Sequence, residues 1–255
     1  CIALAIFIPI LMMGGPLLQI GMGLLAMLGV HELLQMKGLR TTTLEGILAM
    51  LAAFVLTIPL ENYLKFLPVD GNVVAYSLVV FILLGSTVLG KHYSFEDAAY
   101  PIAASFYVGI GFNALLDARV AGFDKVLLAL FIVWATDSGA YLVGRRYGVH
   151  RLAPHVSPNK TVEGSLGGIV SAVLVTFIFM LFDKNVAAPH HLPIMLLFAV
   201  FFSIAGQFGD LVESAIKRHF GVKDSGKFIP GHGGVLDRFD SMLFVFPLMH
   251  FFGLF

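Results

Sequence analysis

Charged residues that could carry out chemistry are concentrated near the carboxyl end of the chain. Ten of the 31 residues from 210 to 240 are Asp, Glu, Lys or Arg, whereas these types make up 13% of the whole chain. If a helix continues through this segment, side chains at offsets of three, four and seven residues share one face. That face then carries Asp210, Glu213, Ser214 and Lys217. Asp237 and Asp240 are three residues apart and are expected to project together as well.

The positions of these acids, next to several cations, predict a site that binds a metal ion and phosphate. A carboxylate within a membrane-spanning segment costs about 2.5–3.5 kcal/mol, and paired acids repel one another unless a cation lies between them. Mg²⁺ takes oxygen ligands and completes its shell with water and substrate phosphates. The neighbouring cations are Lys217, Arg218, Lys223 and Lys227. A solvated cytoplasmic loop is the alternative; it explains the cations, but it does not explain Asp210, Asp237 and Asp240, which lie within or against apolar runs.

A glycine-rich stretch just before the last apolar run could bind an anion. Residues 230–234 read Pro-Gly-His-Gly-Gly. Such a stretch can present backbone N–H groups and the positive end of a helix dipole to phosphate. His232 could donate to a phosphate oxygen or act as an acid, or it could be an ordinary loop histidine.

A second polar cluster lies upstream. Asp137 interrupts an apolar run, and an acid within a membrane span is a functional-site hypothesis by default; the alternative is a buried acid paired with a basic neighbour. The segment 157–161, Ser-Pro-Asn-Lys-Thr, resembles a helix start with Ser157 as the cap and Pro158 in the first turn. Lys160 would then add a cation where free N–H groups already favour phosphate, although an ordinary capped loop is also compatible with this segment.

The composition identifies an integral membrane protein. Of the 255 residues, 58% are hydrophobic and only 13% are charged, and the mean hydropathy is +0.90. Soluble domains have about 25% charged residues. A soluble enzyme, a disordered chain and a nucleic-acid-binding domain are therefore excluded. The net charge of +0 attracts no polyanion, and a single cysteine, Cys1, excludes a disulfide framework and a cysteine-rich metal site.

The apolar runs predict an all-α polytopic membrane protein with about nine transmembrane helices and a cytoplasm-facing polar active site. Continuous runs of this length span a bilayer as helices. The nine runs are 1–13, 16–34, 44–60, 72–89, 98–116, 126–144, 164–182, 192–216 and 238–255. We interpret 1–125 as a scaffold that could contribute a dimer contact, and 126–255 as the part that carries the catalytic signature. Gly164 and Gly168 have the spacing of closely packed helices.

The distribution of Lys and Arg predicts the orientation of the chain. Nine crossings place the loops near 35–43, 90–97, 145–163 and 217–238 on one side, and these loops hold 12 of the 16 Lys and Arg residues. The positive-inside rule assigns that side to the cytoplasm. Two crossings separate residues 157–161 from 217–238, so both segments are expected to reach the same surface. The first run lacks an initiator Met and a basic flank, so we expect the natural chain to begin earlier.

The motifs carry a family resemblance. From Ser214 the chain reads Ser-Ala-Ile-Lys-Arg, four residues, Lys-Asp-Ser-Gly, three residues, then Pro-Gly-His-Gly-Gly-Val-Leu-Asp-Arg-Phe-Asp ending at Asp240. This run resembles the signature of phosphatidate cytidylyltransferases, also called CDP-diacylglycerol synthases. The segments 137–141 and 157–164 are similar to that family too. The specific resemblance covers about residues 134–245, and the first half matches only as generic membrane helices.

The resemblance implies Mg²⁺-dependent transfer of a cytidylyl group from CTP to phosphatidate, giving CDP-diacylglycerol and pyrophosphate. It implies a two-cation site in the cell membrane, open to the cytoplasm, with phosphatidate arriving from the inner leaflet and no nucleic-acid partner. The second cation and the formation of a homodimer are left open. The implied metal ligands are Asp210 and Asp237 first, then Asp240, Glu213 and Asp137. The implied catalytic residues are Asp210, Asp237, Asp240, Lys217 and Arg218. The implied substrate-binding residues are Ser157, Asn159, Lys160, Ser214, Lys223, Asp224, Lys227, His232, Gly233, Gly234 and Arg238.

Three other functions compete with this interpretation. A transporter or ion channel also places acids in membrane spans, but it predicts charges spread through the membrane and repeated halves, which the sequence lacks. A CDP-alcohol phosphotransferase would show a different spaced aspartate pattern. A polyprenol or phytol kinase that uses CTP is separated only by the detailed signature.

Overall fold

The computed structural model describes residues 2–64, 71–89, 93–183, 186, 190–226 and 233–255, and these residues are mostly helical. The α-helices in this part of the chain are α1 (Ile2–Met13), α2 (Gly15–Met36), α3 (Leu44–Thr57), α4 (Gly71–Leu89), α5 (Phe95–Ala121), α6 (Phe123–Tyr147), α7 (Val162–Phe182), α8 (Leu192–His219), α9 (Leu236–Phe239) and α10 (Met242–Phe251). A 3₁₀ helix (Leu60–Asn62) follows α3. An antiparallel hairpin, β1 (Arg151–Ala153) and β2 (Ser157–Thr161), lies between α6 and α7.

The prediction of an all-α polytopic membrane protein is confirmed. Among the described residues, six helices (α2, α4, α5, α6, α7 and α8) are long and apolar enough to cross a bilayer. The helices α1, α3 and α10 have 12, 14 and 10 residues, which is shorter than a typical span. The count of nine crossings therefore stays a prediction.

Helix α5 begins earlier than the apolar run indicates, at Phe95 rather than at residue 98. Glu96 and Asp97 occupy its first turn, where acidic side chains compensate the positive end of the helix dipole. The Ser94 backbone N–H donates to Asp97 Oδ2 (2.9 Å), and the Asp97 backbone N–H donates to Ser94 Oγ (3.3 Å). This reciprocal cap explains why the charged residues, which the sequence analysis assigned to a loop, lie in the first turn of a helix.

The final apolar run, predicted as one helix over 238–255, is divided into α9 and α10. The break falls at Asp240 and Ser241, between the end of α9 at Phe239 and the start of α10 at Met242. Asp240 Oδ1 accepts the Ser241 backbone N–H at 2.6 Å. A short acidic side chain that takes a backbone N–H in this way competes with the helical hydrogen bond.

The prediction that Ser157 caps a helix with Pro158 in its first turn is wrong. Both residues lie in β2, where a proline without an N–H is tolerated because a two-stranded hairpin has only edge strands. Helix α7 begins at Val162, and its cap is Thr161, whose Oγ1 accepts the Gly164 N–H at 3.1 Å. The cap is therefore four residues later than the sequence indicates.

The described chain divides into two compact units. The first unit comprises Cys1–Leu116 and Asp224–Asp237, and the second comprises Asp117–Lys223 and Arg238–Phe255. In the first unit, α3 packs between α2 and α4. Small residues allow this close packing: Ala49, Ala52 and Ala53 on α3 are fully buried.

In the second unit, α6 packs closely on α7, and glycines make this contact. A Cβ at Gly164 would lie 2.8 Å from the backbone oxygen of Ala140, and one at Gly168 would lie 2.8 Å from that of Thr136. Only glycine allows the two backbones to approach so closely. The predicted close-packing role of Gly164 and Gly168 is confirmed.

Candidate active site

A polar cavity of about 630 Å³ lies within the second unit, between α6, the hairpin, α7 and α8. One face of α6 forms a wall, with Asp137, Tyr141, Gly144 and Arg145 at offsets of zero, four, seven and eight residues, and Gly148 follows directly after the helix. Ligand sites commonly have volumes of about 300–1,000 Å³. The cavity is therefore large enough for a small anionic metabolite.

Three cations line this cavity. Arg145 comes from the last turns of α6, Arg151 from β1 and Lys160 from β2. The Arg145 Nη1 donates to the Tyr141 hydroxyl at 3.1 Å, which links two side chains of the α6 wall. Arginine matches the geometry of phosphate oxygens with paired N–H groups. The arrangement of these cations can bind several phosphates at once.

Acidic residues lie in the same unit. Asp137 and Asp210 line the cavity. The Lys160 Nζ lies 2.5 Å from Asp210 Oδ2, and the Ser214 hydroxyl donates to Asp210 Oδ1 at 3.3 Å. The Asp240 carboxylate lies close enough to those of Asp210 and Asp137 to repel them. The sequence placed these three acids far apart along the chain, and the structure brings them together.

The donor chemistry of these acids fits a hard divalent cation. Within the part of the chain that the structure describes, no three His, Cys, Asp or Glu side chains are already close enough to hold a metal ion. Mg²⁺ does not require such a cage, because it uses one or two carboxylates together with substrate phosphates and water. The residues that could hold it in the second unit are Asp137, Asp210 and Asp240.

Glu213, a predicted metal ligand, is engaged by a neighbouring cation. Its side chain is 1% exposed, and its Oε2 lies 2.7 Å from Lys217 Nζ, one helical turn along α8. A buried carboxylate is favourable only when it is paired or hydrogen-bonded. In this arrangement Glu213 fixes the position of the Lys217 ammonium group.

The hairpin meets the carboxyl-terminal end of α8. The Arg218 guanidinium donates from Nε to the Val156 backbone oxygen and from Nη1 to the Val222 backbone oxygen, both at 3.4 Å. The hairpin that carries residues 157–161 therefore contacts the end of α8 within the second unit. Asn159, Lys223 and Arg238 are exposed, and Asn159 also lines the cavity.

The first unit holds the other predicted residues, in the segment Asp224–Asp237, which we call the signature segment. Asp237 Oδ2 accepts the backbone N–H groups of Ser225 (2.9 Å) and Gly234 (2.8 Å). Gly233 adopts a positive φ of 81°, which favours glycine. Lys227 and His232 lie outside the described residues.

Sequence reasoning missed several polar residues of these sites. Arg145 and Arg151 were counted only as cytoplasmic charges, Tyr141 was noted only within the family-like segment 137–141, and Gln207 was not considered. The spacing of Asp137, Tyr141 and Arg145 at four-residue intervals would have placed all three on one helix face. A fifth residue, Glu32, is a buried acid in α2, and the rule applied to Asp137 would have selected it.

The fold and the cavity together define a class of protein: a helical membrane protein with a cavity of cations and carboxylates suited to phosphorylated ligands. The chain belongs to the cytidylyltransferase family, whose profile matches residues 1–255.

Curated relatives match over nearly the whole chain. The phosphatidate cytidylyltransferase of Staphylococcus saprophyticus is 44% identical over 253 residues, covering 98% of this chain and 94% of the relative. The phosphatidate cytidylyltransferase of Staphylococcus haemolyticus is 44% identical over 255 residues, with the same coverage. That of Staphylococcus aureus is 42% identical over 253 residues, again covering 98% and 94%.

Proposed function

We propose that this protein transfers the cytidylyl group of CTP to phosphatidate, forming CDP-diacylglycerol and pyrophosphate. The observation that carries the proposal is the cavity of the second unit, where Arg145, Arg151 and Lys160 line the same space as Asp137 and Asp210. Family membership and the names of the relatives support the same reaction.

The cavity residues suit the triphosphate of a nucleotide. Arg145 and Arg151 would take phosphate oxygens as paired donors, and Lys160 would add a compact charge that Asp210 now holds at 2.5 Å. Asn159 and Gln207 offer amide groups to the nucleoside from the cavity wall. Charge-assisted hydrogen bonds of this kind are about twice as strong as neutral ones.

The reaction itself needs positioning and neutralisation of charge more than a protein nucleophile. An oxygen of the lipid phosphate would attack the α-phosphorus of CTP in line and form the new P–O bond. The bond from that phosphorus to the oxygen bridging to the β-phosphorus would break, and its electron pair would leave with pyrophosphate. Lys217, held by Glu213, and Arg218 would stabilise the phosphate groups.

Mg²⁺ is the cofactor that the acids suit. Asp137, Asp210 and Asp240 would hold it in the second unit. Asp237, in the first unit, is proposed as a ligand of Mg²⁺ on the family resemblance. When bound, Mg²⁺ neutralises phosphate charge and stabilises the departing pyrophosphate. The second cation is either another Mg²⁺ or a monovalent ion.

The proposed setting is the cell membrane, with the active site on the cytoplasmic side. The 12 of 16 Lys and Arg residues on the loops of one side support this orientation. Phosphatidate would then approach sideways from the inner leaflet, with its acyl chains remaining in lipid and its head group reaching the polar residues.

The proposal is tested by pyrophosphate release from CTP by the purified protein in detergent. We expect release only when CTP, phosphatidate and Mg²⁺ are all present. Release of CDP when a polyprenol replaces phosphatidate, with no pyrophosphate, would instead support a CTP-dependent kinase. If the folded protein releases neither pyrophosphate nor CDP, the result would instead support a transporter.

A further inference from the structure

Glu32 is a buried acid in an apolar helix. It lies in the last turns of α2, and the residue is 3% exposed. A carboxylate removed from water at such a position is costly unless donors satisfy its oxygens. The groups that satisfy Glu32 therefore indicate why an acid occupies this position.

The donors that the structure gives to Glu32 come from the signature segment. The Val235 backbone N–H donates to Oε1 at 2.7 Å, and the Leu236 backbone N–H donates to Oε2 at 3.0 Å. The Ser225 hydroxyl lies 2.9 Å from the same Oε2. Glu32 thus connects the beginning of the signature segment to its end. Its partners lie 193 to 204 residues after it in the sequence.

Asp237 also contacts Ser225 and binds the signature segment near both of its ends. Its Oδ2 accepts backbone N–H groups from Ser225 and Gly234, and it also lies 2.9 Å from the Ser225 hydroxyl. A hydroxyl has one proton, so the Ser225 O–H serves one of the two carboxylates at a time. The orientation of the Asp237 carboxylate consequently depends on the partners that Glu32 holds in place.

Two glycines of the signature segment lie against Glu32. A Cβ at Gly226 would lie 2.7 Å from Glu32 Oε1, and one at Gly234 would lie 2.5 Å from Glu32 Oε2. A side chain at either position would displace the carboxylate. The absence of a side chain at these two positions therefore leaves room for the Glu32 carboxylate.

We propose that Glu32 is a positioning residue for the reaction: its carboxylate ties Ser225 to Val235 and Leu236 and so sets the orientation of Asp237. This inference rests on the proposed function, in which Asp237 is a ligand of Mg²⁺. Partners that orient metal ligands typically contribute 10–100-fold to metal affinity or activity. Glu32 does not line the cavity of the second unit, so its loss should spare the binding of CTP.

The test compares E32Q, E32D and S225A with the control E96Q, which changes an exposed acid in the first turn of α5. In E32Q one oxygen acceptor becomes an N–H₂ group that cannot accept from a backbone N–H. We expect E32Q to lower kcat by about 10–100-fold and to raise the Mg²⁺ concentration for half-maximal activity. The KM for CTP should change less than about twofold. The raised Mg²⁺ requirement is the decisive readout, because loss of folded protein lowers the apparent kcat without changing the Mg²⁺ dependence of the molecules that remain active. E32D keeps the charge and should recover part of the activity, and S225A should show a smaller effect in the same direction.

A second readout does not require turnover. Hydrogen–deuterium exchange at Val235 and Leu236 should become faster in E32Q and stay unchanged in E96Q, because Glu32 accepts both N–H groups. Unchanged exchange in E32Q, or kcat and Mg²⁺ dependence equal to those of the wild type, would overturn the inference. Absence of CDP-diacylglycerol formation by the wild type and E96Q alike would overturn the proposed function instead, while the exchange data still decide the structural role of Glu32.

Discussion

Two oppositely charged side chains of the cavity are paired with each other within the protein. Lys160 and Asp210 form a close ion pair whose side chains are 28% and 31% exposed. A pair so open to water adds little to folding stability, typically 0–1 kcal/mol. Under the proposed function, we expect the pair to keep a cation and an acid side by side, available to phosphate and metal respectively.

Arg145 and Arg146 provide a matched pair of variants on adjacent residues. Arg145 lines the cavity, whereas the Arg146 guanidinium lies over the Tyr147 ring, 5.5 Å from its centroid. We expect R145A to raise the KM for CTP by about 10–100-fold, because hydrogen bonds to charged groups contribute about 1.5–3 kcal/mol. R146A should leave the KM for CTP nearly unchanged. Equal KM values in both variants would argue against a triphosphate in this cavity.

Asp210 is the acid whose removal should most affect the metal. D210N keeps the size of the side chain but removes the charge beside Lys160, and we expect activity to fall by about 100-fold or more. The Mg²⁺ concentration for half-maximal activity should rise. The control is D124N, which changes an acid in the first turn of α6, outside the cavity residues. Full activity and unchanged Mg²⁺ dependence in D210N would contradict its assignment as a ligand.

Long elements could be predicted from the sequence, whereas short ones could not. The apolar runs predicted the positions of the helices because lipid leaves a buried backbone few alternatives to a helix. The hairpin was missed because its strands have three and five residues and are polar, so no periodic pattern distinguishes them from a loop. The helix cap was misplaced to Ser157 because Ser and Thr have similar capping preferences, and only the strand pairing excludes Ser157.

The position of this cap can be tested by stability. T161A removes the side chain that accepts the Gly164 N–H and should lower the free energy of unfolding by about 0.5–2 kcal/mol. S157A removes a hydroxyl from β2 and should have a much smaller effect. Thermal unfolding of both variants in the same detergent measures the difference. A larger loss in S157A than in T161A would place the helix start where the sequence indicated.

The cavity of the second unit is assembled from segments that are distant in sequence, and this limits what the sequence alone can predict. Asp137, Lys160 and Asp210 could be selected because charges within or beside apolar runs need an explanation. Arg145 and Arg151 were missed because the positive-inside rule already explains cations in that loop. In the first unit, the rule that selected Asp137 would also have selected Glu32, but it could not have predicted its partners, which follow it by about 200 residues.

The proposed orientation in the membrane predicts which ends of the helices can be labelled from the cytoplasmic side. Cys1 is the only cysteine, so C1S provides a background for single-cysteine labelling. His155, at the turn of the hairpin, and Ala121, just before α6, are exposed and lie at opposite ends of that helix. We expect a membrane-impermeant maleimide to label A121C in intact spheroplasts and H155C only in inverted vesicles. The reverse pattern would place the cavity on the outer side.

The most direct test of the central claim follows the label from CTP into lipid. The purified protein is given phosphatidate, Mg²⁺ and CTP labelled at either the α- or the γ-phosphorus, and the lipid product is extracted and counted. Cytidylyl transfer predicts that the α label enters the lipid and that the γ label leaves as pyrophosphate. Entry of the γ label into lipid, with the α label remaining in CDP, would show phosphoryl transfer and contradict the account.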